Sequence, residues 1–352
     1  MIFYISILCI FLIFSLLSYD QNKHRRVIFI LLCLFLTFIA AMRYNVGFDY
    51  PSYHFNISQM IKMGKMSSWQ FYERIEPGCK LIINLTILSG IPQLFFILSS
   101  SLTMLFVGIT IHKISNDPIL SLLIFLCFPF FYLATFTIIR QWLAIAIAMY
   151  AYTHLIRNKK GYFVFWTIFA SFFHLSALIS LILLAIDKIN LSKVQLFALI
   201  FIMGFSTSIL YSLIEYFLPL SALKMQRFAE ARGGEKLIYI ALLFSLTFII
   251  LKNKLEEIDS NNMLHIKAIT FGSGLILMLS SFGHVAQRIG VYFIFPLILL
   301  IPDLIHLFKG EQKTFIKMAI YTGFSLIFLY SLQLSKDSFD SPNIPFTFFF
   351  FK

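Results

Sequence analysis

The sequence predicts an all-α, polytopic integral membrane protein of about ten transmembrane helices plus one or two re-entrant or short helices. Three observations predict it. The 352 residues are 59% hydrophobic with a mean hydropathy of +0.86, and only 12% are charged, where a soluble chain carries about 25%. The apolar residues come in repeated runs close to the roughly 20 needed to cross a bilayer. The expected organisation is one integral membrane domain over 1–352, with extracytoplasmic loops at 43–80, which holds a short helix, and at 219–236. Neither disorder nor a disulfide scaffold fits: Gly and Pro are few, and of four Cys, Cys9, Cys33 and Cys127 lie in apolar runs and leave Cys79 without a partner.

Met1 to Ser18 has no basic residue before it and no small-residue cleavage site, while Lys23, Arg25 and Arg26 follow it. It reads as an uncleaved anchor with its N-terminus outside. Val27 to Met42 returns outward into the polar stretch Arg43 to Lys80. Pro77 to Ser89 is too short to span, begins with Pro and is followed by Gly90, the pattern of a re-entrant or interfacial helix. Ile91 to Ile111 crosses inward. From Pro118 to Ile156 the only charge is Arg140; at about 1.5 Å per residue this run is about two membrane thicknesses long as one helix, so it folds into a hairpin with Arg140 close to its outer end. Tyr162 to Ile186 fits one tilted span or a broken pair with His174 near the break. The remaining runs are Val194 to Leu218, Leu237 to Leu251, Leu264 to Phe282, Gly290 to Phe308 and Thr314 to Gln333.

A net charge of +12 raises the question of nucleic acid. The basic residues are scattered among short loops, as insertion topology produces, and no basic stretch interleaves with exposed aromatics, so none is expected as a partner. If the His174 segment dips and returns, six of nine Arg (Arg43, Arg74, Arg140, Arg227, Arg232 and Arg288) face outward. That excess opposes the positive-inside bias. Arg grips phosphate or carboxylate oxygens through a two-donor fork and stays charged where water is scarce, so an extracytoplasmic anionic ligand is expected. The plainer alternative for Arg74 and Arg232 is snorkelling to the headgroups. Arg140, flanked by apolar residues, is a functional candidate by position.

Arg43-Tyr44-Asn45-Val46-Gly47-Phe48-Asp49-Tyr50 opens the first long loop, and Gly47 allows a tight path that brings Arg43 and Asp49 near each other. Asp49 is either half of a structural ion pair or a general base for an attacking hydroxyl. Glu76, before Pro77-Gly78, either caps that helix or serves the site. His174 is either a packed, hydrogen-bonded His or a proton carrier near neutral pH. His284 and Arg288 are four apart and share a helix face. No phosphate-binding Gly-rich loop, HExxH, Gly-x-Ser-x-Gly or DxD-like pair occurs, so nothing points to ATP hydrolysis, zinc proteolysis or serine hydrolysis, nor to metal-dependent nucleotide-sugar transfer; no metal and no cofactor is expected. An enzyme acting on a lipid-linked phosphate fits what remains.

The stretch Arg43-x3-Gly47-x-Asp49-x3-Tyr53, Glu76-Pro77-Gly78, Arg140-Gln141 with Leu143-Ala144, Phe173-His174-x-Ser176-Ala177-Leu178, Arg288 with Tyr292, and Asn343-Ile344-Pro345 together resemble the EpsG family of Wzy-type polysaccharide polymerases. The resemblance runs in order from about residue 40 to the end and rests on the ordered set. It implies a multi-pass glycosyltransferase of the bacterial plasma membrane, with an extracytoplasmic active site. Such an enzyme joins oligosaccharide repeat units carried on undecaprenyl diphosphate for capsule, exopolysaccharide or O-antigen synthesis, amid membrane lipid and alongside a flippase and a chain-length regulator. In that chemistry Arg groups stabilise a diphosphate leaving group without a metal. Asp49 is the first candidate for the base and His174 the second, with Glu76 orienting acceptor or Arg; Arg43, Arg140, Arg288 and Arg227 are the candidates for diphosphate contact. The competing readings are a lipid-linked oligosaccharide transporter or flippase and a membrane O-acyltransferase centred on His174.

Overall fold

Proline at a first turn and glycine behind a last one set several helix limits here, and the apolar stripes set how the helices pack. The structure, a computed structural model, describes residues 1–17, 24–217, 235–337 and 343–351. Arg227, Arg232 and nearly all of the expected 219–236 loop lie outside the described residues. The fold is 84% helix, with no strand among the described residues. Two compact units are distinguished: Met1–His154 with Gly161–Leu178 and Tyr321–Lys352, and Leu155–Lys160 with Ile179–Ile320.

In the first unit lie α1 (Ile2–Leu17), α2 (Arg25–Met42), α3 (Asp49–Met63), α4 (Trp69–Glu73), α5 (Pro77–Ser89), α6 (Gln93–Ile114), α7 (Pro118–Cys127), α8 (Ala134–Thr137) and most of α9 (Ile139–Ile156) and α10 (Lys160–Ser171). α7 starts where Asp117, paired with Arg25 at 2.8 Å, accepts the Leu120 amide and Pro118 takes the first turn. α5 has the expected limits, Pro77 at its start and Gly90 left-handed behind it. The 118–156 run is broken, as its length requires, into α7, α8 and α9, and the Tyr132 amide reaches back to the Phe125 carbonyl at 3.1 Å. The 162–186 run is broken too: α10 stops at Ser171, and a 3-10 helix starts at Leu175, just after His174.

The second unit holds α11 (Leu183–Lys188), α12 (Lys193–Phe217), α13 (Glu235–Ile258), α14 (Asn262–Met278), α15 (His284–Ile294) and α16 (Leu297–Leu304), with the start of α17 (Gly310–Asp337). α14 and α15 touch through glycine: a Cβ on Gly290 would stand 2.2 Å from the Ile276 side chain, and one on Gly272 2.7 Å from Phe293. Lys267 is almost wholly buried, and its Nζ donates to the Asp187 and Ile189 carbonyls at 3.0 Å each, closing the C-terminus of α11.

Four described segments are long and apolar enough to cross a membrane: Arg25–Met42, Gln93–Ile114, Lys193–Leu210 and Gly310–Leu334. A fifth arises if α15 and the Leu297–Leu307 segment, bent by 55°, form one broken span. Of the runs counted toward about ten crossings, Ile2–Ser15, Pro118–Cys127 and Asn262–Met278 are apolar but short as described helices.

The C-terminal segment straps the first unit. Tyr44 donates its amide to the Thr347 carbonyl at 2.8 Å, Arg43 and Phe348 form an isolated antiparallel bridge, the Tyr4 hydroxyl donates to the Asn343 carbonyl at 2.7 Å, and Phe3 stacks on Phe346 at 4.2 Å. Phe346→Ala removes that stack and is expected to cost about 2 kcal/mol, read as a lower melting temperature of the detergent-solubilised protein.

Candidate functional site

α2 ends at Met42, and Arg43 turns the backbone into an extended conformation. Gln93 holds that exit: its Nε2 donates to the carbonyls of Ala41 (2.7 Å) and Arg43 (3.0 Å), while its Oε1 accepts the Tyr50 hydroxyl (2.7 Å). The Arg43 side chain is fully buried. It donates to the Ala40 carbonyl and, at 3.0 Å, to the Ser100 hydroxyl, and lies over the rings of Phe136 (4.8 Å) and Phe96 (5.5 Å). Its place is inside the packing beneath the loop.

Gly47 has a purpose that its sequence neighbours do not reveal. Its φ is +92°, and a Cβ there would stand 2.1 Å from the Phe136 carbonyl oxygen, so the glycine lets the loop lie directly on the backbone of α8. Two residues on, Asp49 Oδ2 accepts the Ile139 amide at 3.1 Å, capping α9 from outside that helix. Four residues further, on the same face of α3, Tyr53 accepts a hydrogen bond from the Arg140 guanidinium. Tyr53 is buried and stacked on Phe95 at 4.9 Å. Burial pushes its phenol above the ordinary value while Arg140 pulls the other way, so it stays protonated at neutral pH. Gly47, Asp49 and Tyr53 thus clasp Phe136, Ile139 and Arg140 in order.

Arg140 stands in the first turn of α9, where the helix macrodipole disfavours a cation. Two carboxylates offset this: Asp49 on the helix end and Glu76, which forms a short ion pair with Arg140, both side chains mostly shielded from solvent at 25% and 20% exposure. Glu76 precedes Pro77 with extended backbone and makes no side-chain cap to α5; its carboxylate goes to Arg140 instead. A residue placed against its local preference and held there by charged partners is typical of a working site.

The break at His174 meets the same place. Gly78 donates its amide to the Phe172 carbonyl at 2.7 Å, a Cβ on Gly78 would stand 2.8 Å from that oxygen, and Cys79 Sγ lies 3.5 Å from the Phe173 carbonyl oxygen. His174 heads the 3-10 helix, its Nδ1 lying 2.7 Å from the Ser176 hydroxyl and accepting the Ser176 amide at 3.3 Å. A main-chain N–H only donates, so Nδ1 is an acceptor, and the neutral ring assigned from this contact keeps its hydrogen on Nε2.

Asp49, Glu76, Arg140 and His174 therefore belong to one unit, as does the buried Arg43. Arg288 belongs to the second unit, half-buried on α15 one turn after His284, with Tyr292 buried one turn later. Arg227 lies outside the described residues. Tyr53 is part of the motif without a role from sequence; its four-residue spacing from Asp49 is the signal that places both on one helix face.

The model of the EpsG family matches residues 26–348, nearly the whole chain. The chain belongs to the EpsG family. That family is the Wzy-type polymerase family, and the match covers both clasped segments, 47–53 and 136–140. Among curated proteins and solved structures none matches this EpsG-family chain. Membership and the apolar helices together support a membrane protein of polysaccharide biosynthesis.

Proposed function

We propose that this EpsG-family protein is a polysaccharide polymerase of the bacterial plasma membrane, a glycosyltransferase that joins undecaprenyl-diphosphate-linked oligosaccharide units at the extracytoplasmic face. The observation that carries the reading is the clasp of Asp49 and Tyr53 on the start of α9, which fixes Arg140 beside Glu76. The bond made joins an acceptor hydroxyl oxygen on the incoming unit to the anomeric carbon of the growing glycan; the bond broken joins that carbon to its lipid diphosphate, which leaves with the electron pair. Asp49 takes the hydroxyl proton, Arg140 offsets the charge growing on the leaving diphosphate, and Glu76 holds the guanidinium in line. Arg288, in the second unit, is proposed for diphosphate contact from its residue type and its place in the motif set alone. Arg43 supports the loop from below. His174, with Nδ1 occupied by Ser176, suits donation from Nε2 better than proton removal. A flippase and a chain-length regulator are the proposed partners.

Asp49→Asn tests the base apart from the cap, because the Asn carbonyl still accepts the Ile139 amide. The variant is expected to accumulate and melt as the native protein does, yet stop chain growth when it complements a deletion strain, leaving single-unit glycan on the cell surface. Long glycan chains from it would remove Asp49 as the base. Absence of single units outside would point to blocked export, the act of a flippase.

Tyr53→Phe keeps the ring stacked on Phe95 and removes one acceptor from Arg140. Chain growth about tenfold slower at an unchanged protein level is expected, measured as the rate of ladder extension in membranes supplied with lipid-linked units.

A further inference from the structure

α3 has two apolar faces, and the fold uses one. Tyr50, Tyr53, Ile57 and Met60 are buried on the inward side. On the other side Phe48, Phe55 and Met63, seven and eight residues apart, are 56%, 61% and 66% exposed, and the turn beyond Gly64 continues the patch with Met66 at 77% and Trp69 at 45%. Leaving such side chains in water is unfavourable by about 25 cal/mol for each Å² of apolar surface, and single scattered apolar residues do not form such a row.

The surroundings of the patch say what it meets. Lys62 and Lys65 are exposed beside it. Lys65 and Lys80 both lie over the Tyr72 ring, at 5.5 and 5.4 Å, and Tyr72 is tied to α5 by its hydroxyl on Asn84 at 3.1 Å. α5 itself exposes Leu81, Leu85 and Leu88 along one stripe. The row begins just after α2, an apolar helix long enough to cross the membrane, ends at Met42. Apolar side chains, a Trp and a Tyr with rings 6.2 Å apart and cations beside them are the chemistry of a helix lying in the plane of an anionic bilayer surface.

We propose that α3 and α4 form a lipid-docking surface, with Phe48, Phe55, Met63, Met66 and Trp69 seated at the boundary of headgroups and acyl chains and Lys62 and Lys65 on anionic lipid phosphates. The loop that carries Asp49 is then held at headgroup depth.

The test uses the full chain in vesicles of phosphatidylcholine with and without phosphatidylglycerol, the acyl chains brominated close to the headgroup. The difference in fluorescence between native protein and Trp69→Phe isolates Trp69 from the other two Trp. Expected is loss of the Trp69 signal to brominated lipid and little loss to aqueous iodide. Lys62→Glu with Lys65→Glu is expected to weaken the lipid quenching in the phosphatidylglycerol vesicles and leave it unchanged in phosphatidylcholine alone. Quenching of Trp69 by iodide but not by lipid places the patch in water and overturns the proposal. Quenching by neither means that protein covers it, which overturns it equally. An effect of the charge reversals that is the same in both vesicles overturns the assignment to anionic headgroups.

Discussion

Arg140→Ala stops chain growth: in a deletion strain complemented with this variant, single-unit glycan accumulates and the ladder above it disappears. Removing a preorganised cation from a developing anion costs about 10²–10³ in rate. The substitution also leaves Glu76 shielded from water without its partner, which weakens the fold. The double variant Glu76→Gln with Arg140→Ala separates the two effects, since it carries no unpaired carboxylate. It is expected to recover the native melting temperature and to stay inactive. Arg140→Lys keeps the charge without the two-donor fork and falls between. Long chains from the Arg140→Ala strain would exclude the guanidinium from the reaction.

Gly47→Ala has the second large effect, and it acts on structure. A methyl group at this position meets the Phe136 carbonyl oxygen at 2.1 Å on a backbone whose φ of +92° already resists an L side chain. Relief requires the loop to lift off α8, which withdraws the Asp49 cap from Ile139 and the Tyr53 oxygen from Arg140. The expected destabilisation is about 3 kcal/mol or more, read as a fall in melting temperature and in membrane level. Gly64→Ala is the control: its φ is also positive, at +84°, but nothing lies within 4 Å of the added carbon, so only the backbone cost of about 1–3 kcal/mol is expected. Equal losses at the two positions would mean that backbone strain, not contact with Phe136, sets the cost.

Much of this architecture is legible in the amino-acid order. Pro77 and Gly90 delimit α5 because their effects are local. The 118–156 run has to break because its length exceeds a bilayer; the 162–186 run leaves one tilted span and a broken pair both open by length, and the chain breaks it where the His174 ring accepts the Ser176 amide. What hydropathy does not reveal is where the smaller breaks fall: α15 and the segment after it read as one apolar run yet are bent by 55°. At the site, residue types and spacing bring out Asp49, Glu76 and Arg140, but not their partners. Gly47 is needed for a contact with Phe136, far along the chain. The Arg43 side chain turns into a pocket of Phe96, Phe136 and Ser100 that only packing creates. Tyr53, four residues from Asp49 but far along the chain from Arg140, meets the guanidinium only when α3 packs on α8, just ahead of α9.

The meeting of Tyr4 with Asn343, residues 339 positions apart, and of Tyr44 with Thr347, bears on biosynthesis. While the ribosome is still at work, the segment leading to Asp49 has emerged but lacks the strap that secures it. A polypeptide terminated before Thr347 would therefore carry an unfinished foothold for its Asp49 segment, so translation through Phe348 is a precondition of assembling that segment.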